Sequence, residues 1–137
     1  MTELELLNLA RSAGDTITAD FSQVITINFA MVVAIYYFLN RASLSLKVFA
    51  IIVYGIGMLM YVGVMLEESN VKAAALASLK ALPPASLSPV GARYIALNES
   101  WLALTTSIFK NLALWVLASG VVYLLFFWKG GVSPKEK

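Results

Sequence analysis

Three stretches without a charged residue, 21–40, 48–66 and 111–128, limit what this chain can fold into. Each is 18 to 20 residues long, and a helix of about 20 apolar residues spans a hydrocarbon core of about 30 Å. A soluble helical bundle would need a polar face interleaved at helical spacing. Residues 51–66 and 112–128 show no such face. With 60% of residues hydrophobic and 13% charged, a 137-residue fold has more apolar surface than it can hide from water. The sequence predicts an all-α integral membrane protein with three transmembrane helices, over about 21–39, 46–66 and 108–128. Residues 67–100 form the long extramembrane loop, and no repeat or linker divides the single unit 1–137.

Thr2 and Glu5 have the spacing of a capping box. Leu6, Ala10, Ala13 and Ile17 recur at helical spacing, so a short N-terminal amphipathic helix, about 4–13, is expected to lie along the membrane surface. Gly14 is expected to interrupt it and Asp15 to cap the next helix. Acidic Glu3 and Glu5 precede any apolar run, unlike a cleavable signal, so the first span is expected to stay in the mature protein. The short connection 41–45 predicts an antiparallel hairpin of spans one and two. The loop is expected to be partly helical: 71–82 is alanine-rich and ends at Pro83 and Pro84, and Asn98 with Glu99 marks the start of the last helix.

Arg41, Lys47, Lys129, Lys135 and Lys137 cluster near span ends on one side. The other side carries seven of the eight acidic groups, with its basic residues spread over a longer sequence. The positive-inside rule then predicts a cytoplasmic C-terminus and an outside N-terminus, and the length and three-span pattern suggest a bacterial inner membrane.

No cysteine and no histidine occur, which removes thiolate and imidazole chemistry from this chain. A net charge of +2 gives no argument for nucleic acid. Phosphate-loop, nucleophile-elbow and zinc-protease motifs are absent, as are acids within the three charge-free stretches. The sequence assigns no catalytic, cofactor-binding or metal-ligating residue, and the chain is expected not to be an enzyme.

The polar residues inside or beside the spans are the candidates for packing or for a pore. Gln23, Thr26 and Asn28 must face protein or water, and interhelical hydrogen bonding is the first reading. In span two, Lys47, Ala50, Tyr54, Gly57, Tyr61, Val64 and Glu68 share one helix face, with Gly57 expected at a close helix crossing. Lys110, beside Asn111, is expected to snorkel or to pair with Glu67 or Glu68. Two functions compete: an accessory or scaffold subunit that associates with itself or with a larger complex in the lipid bilayer, and a homo-oligomeric pore. The pore would be lined by Thr26, Asn28, Thr105, Thr106 and Lys110.

Overall fold

The computed structural model describes residues 1–128. The tail 129–137, and with it the basic cluster of Lys129, Lys135 and Lys137, lies outside the described residues. Among the described residues the chain is helical throughout: α1 (Glu3–Tyr37), α2 (Leu44–Lys80), α3 (Pro89–Asn98) and α4 (Trp101–Phe127), with single 3₁₀ turns at Leu39–Arg41 and Pro84–Ser86. Three of the four helices, α1, α2 and α4, are long and apolar enough to cross a membrane.

Helix α1 starts where the capping box places it. The Thr2 hydroxyl accepts from the Glu5 backbone at 3.3 Å, and Glu5 Oε2 accepts from the Thr2 backbone at 2.8 Å. Those Thr2 bonds hold the Glu5 carboxyl below its ordinary value. The predicted break at Gly14 does not occur, and Gly14 and Asp15 are interior residues of one 35-residue helix. A helix-interior glycine costs about 1 kcal/mol relative to alanine. Packing outweighs that cost: Leu6, Ala10 and Ala13 on α1 and Ala75 and Leu79 on α2 are all buried. Residues 4–13, expected as a separate short helix on the membrane surface, are instead the first third of α1, with Leu6, Ala10 and Ala13 buried against protein.

Helix α2 likewise continues past its predicted end near residue 66, through the alanine-rich segment to Lys80. A proline disfavours helical backbone in the residue before it, so Pro83 and Pro84 account for the stop. Asn98 does not cap α4. It closes α3, its side chain donating to the Tyr94 carbonyl at 3.0 Å, and Ser100 is the cap, accepting from Ala103 at 3.4 Å. Glu99 adopts an αR turn between the two helices, which moves the cap two residues along.

The antiparallel hairpin of α1 and α2 forms the body, and α4 packs chiefly along α1. The core between the three long helices comprises Val24, Ile35, Leu39, Tyr54, Met58, Val121 and Leu125. The three charge-free stretches lie in register. At one end Lys110 sits over the Phe21 ring, and at the other Tyr36 stacks on Trp128 at 5.5 Å. Beyond the first end, residues 3–20 and 67–80 continue as helix for about 20–27 Å at 1.5 Å per residue, forming with α3 a lobe beyond the charge-free stretches.

Glu3 ties α3 to the open end of the hairpin, opposite its turn. Its carboxylate accepts from the Ser88 backbone at 3.1 Å and from the Ser88 hydroxyl at 2.6 Å, while that hydroxyl accepts from Gly91 N–H at 3.1 Å. A Cβ at Gly91 would collide with Glu3 Oε1 and stand 3.2 Å from Leu87 Cδ1. Gly91→Ala and Glu3→Ala should therefore each weaken the docking of α3 by about 1–3 kcal/mol. The double variant should cost little more than either alone. Hydrogen exchange of the α3 amides measures all three, and strictly additive losses would show that the contact is not shared. The exposed Lys80–Glu99 ion pair near the other end of α3 adds at most about 1 kcal/mol.

Candidate functional site: a buried hydrogen bond and a polar cleft

Two of the polar span residues meet. Asn28, 1% exposed, accepts from the Tyr54 hydroxyl at 2.6 Å, and its Nδ2 donates to the Val24 carbonyl at 2.8 Å and toward Met58 Sδ at 3.5 Å. Asn28 is the one buried polar residue in the described chain, and its hydrogen-bonding groups are engaged within the hairpin. An unpaired amide in hydrocarbon is costly, so this contact fixes the rotation of α1 against α2.

The remaining candidates are placed separately. Gln23 is exposed, and exposed Thr26 donates to the Ser22 carbonyl at 2.9 Å. Tyr61 is half-buried against the core, but Val64 is exposed and no neighbouring atom lies within 4 Å of a Cβ built at Gly57. The packed face of α2 is Ala50, Tyr54, Met58, Tyr61 and Met65, rotated from the expected one. Met58 and Met65 were the residues missed. The sequence signal for them was available, since each follows a tyrosine by four residues and the spacing 4, 4, 3, 4 is also helical.

Lys110 does not pair with Glu67 or Glu68. Its Nζ lies 5.9 Å from the Phe21 ring centroid, within cation–π range. It lines a cleft of about 140 Å³ between α2 and α4, floored by Ile17 of α1. Ser69, Ser107 and Asn111 supply the other polar groups, and Val62, Met65, Leu66 and Leu114 the apolar wall. Asn111 Nδ2 donates to the Ser107 carbonyl at 3.1 Å. Thr105 and Thr106 satisfy their hydroxyls on the Trp101 and Leu102 carbonyls, at 2.7 and 2.8 Å. The Ser69 and Ser107 hydroxyls make no such bond among the described residues. Among the described residues, no three His, Cys, Asp or Glu side chains come together as a metal centre requires.

These features define an all-helical chain with three helices long and apolar enough to span a membrane and a packed lobe at one end. No protein family, curated protein or solved structure matches it.

Proposed function

We propose that this protein is a non-catalytic accessory or scaffold subunit that associates, within a bacterial inner membrane, with copies of itself or with a larger complex. The observation that carries this reading is the outward face of α4. Trp115, Tyr123 and Phe127, all more than 60% exposed, rim a notch floored by Ala118, Ser119 and Val122. The Tyr123 and Phe127 rings stack at 5.6 Å and form one wall. Small residues between large ones let a second helix approach closely, the usual driving geometry for association in lipid. Only 11% of each span's apolar window is buried inside the chain, which leaves ample surface for such contact. In this reading the lobe lies outside and the C-terminus is cytoplasmic, as the basic residues near the hairpin turn favour.

The pore reading has less support. Thr26 and Asn28 lie about 200° apart around α1, and Asn28 is taken up by Tyr54. Extraction from native membrane in mild detergent tests the proposal. The wild type should run as an assembly larger than one 14.9 kDa chain in its micelle, and Ser119→Phe, which fills the notch, should reduce it to the monomer. Wild-type protein that is monomeric at every detergent strength would remove this function from consideration.

A further inference from the structure

We propose that the cleft at Lys110 is a binding site for the headgroup of an anionic phospholipid from the leaflet on the lobe side. The level is right for a headgroup. Lys110 immediately precedes the charge-free stretch of α4, and it meets Phe21, the first residue of the charge-free stretch of α1. The cleft therefore straddles the plane where hydrocarbon gives way to headgroups.

Its chemistry is graded in the same direction. Lys110, Asn111 and the two unengaged serine hydroxyls offer a cation and donors to a phosphate, while Leu114 and Met65 continue the wall toward the hydrocarbon. Among the described residues the lysine reaches the cleft without a carboxylate partner, its contact being the Phe21 ring face. Nearby acids point elsewhere. Glu67 and Glu68 are about 100° or more from the middle of the Val62, Met65, Leu66 and Ser69 face. Asp20 is about 100° around α1 from Phe21 and is not part of the lining. A basic group facing a negatively charged leaflet gains attraction that a zwitterionic leaflet does not supply. Because α2 and α4 scarcely touch, the gap between them can admit a headgroup from the side.

The test uses the full chain in phosphatidylcholine nanodiscs doped with phosphatidylglycerol, with protein-bound lipid counted by native mass spectrometry. Phosphatidylglycerol should be retained over phosphatidylcholine by about fivefold, the effect expected of one basic group at an anionic surface. Lys110→Gln should abolish the preference and Lys110→Arg should keep it. Lys47→Gln, which removes the same charge at the opposite boundary, should leave it unchanged. Ser107→Phe fills the cleft from an exposed position without altering charge, and should reduce retention with an unchanged helical circular dichroism spectrum. Equal retention in wild type and Lys110→Gln would overturn the proposal. So would displacement of the lipid by inorganic phosphate, which would make the site one for a soluble anion. A change of assembly size in Lys110→Gln with lipid retention intact would assign the cleft to a protein helix instead.

Discussion

Leu79→Ala should cost the lobe about 2–5 kcal/mol, the range for emptying a fully buried leucine site. Leu79 is 0% exposed, and its buried companions in the lobe are Leu6 and the alanines Ala10, Ala13 and Ala75. One leucine thus supplies a large part of what the two helices hide from water. Hydrogen exchange of residues 3–20 and 67–80 should accelerate by at least about 30-fold, which corresponds to the lower end of that range. Exchange at the membrane level should not change. Ser78→Ala, at an exposed position one residue earlier, is the control. The same truncation at Leu125, equally buried but within a span, should cost less, because lipid tails are as apolar as the side chain removed. Unchanged exchange in Leu79→Ala would mean that the two helices do not pack above the membrane.

The second large effect is expected at the Asn28–Tyr54 contact. Asn28→Leu leaves the Tyr54 hydroxyl without its acceptor, and Tyr54→Phe leaves Asn28 Oδ1 without its donor. A stranded polar group costs about 1–3 kcal/mol, and interhelical hydrogen bonds in membranes contribute about 0.6–2 kcal/mol. The double variant removes both partners and should recover much of the loss. Unfolding in bicelles gives the three values. A coupling of zero would show that the hydroxyl and amide find other partners, and the 2.6 Å contact would then carry no stability.

The three long apolar helices were legible because charge is excluded from hydrocarbon, and each charge-free stretch falls within one of them. The ends of the helices were not, and the reason differs from case to case. At Gly14 local propensity favoured a break, while the burial of Ala10 and Ala13 just before it decided for continuity; spacing along one helix carries no sign of what buries them. The sequence places the end of the second long helix at Leu66 and a separate helix over 71–82, because Glu67 and Glu68 end the apolar run. Charge marks where lipid ends, however, and says nothing about where a helix ends. Asn28 and Tyr54 could each be recognised as residues that need partners. Their pairing required the register of the hairpin, and the register also separates Met58, which packs, from Gly57, which does not. The Glu3–Ser88–Gly91 contact spans 85 residues and has no local signal at all.

The uninterrupted course of α1 has a mechanical consequence. From Glu3 to Tyr37 the helix is a rod about 52 Å long at 1.5 Å per residue, and it carries no proline. It has no joint at the membrane surface at which the lobe could pivot by itself. A tilt of about 10° about the hairpin turn would swing the far tip by about 9 Å, while the span leans by the same angle and shortens its projection across the bilayer. A partner that pulls on the lobe therefore works a lever whose other arm sits in lipid, and a membrane that changes thickness moves the lobe in return.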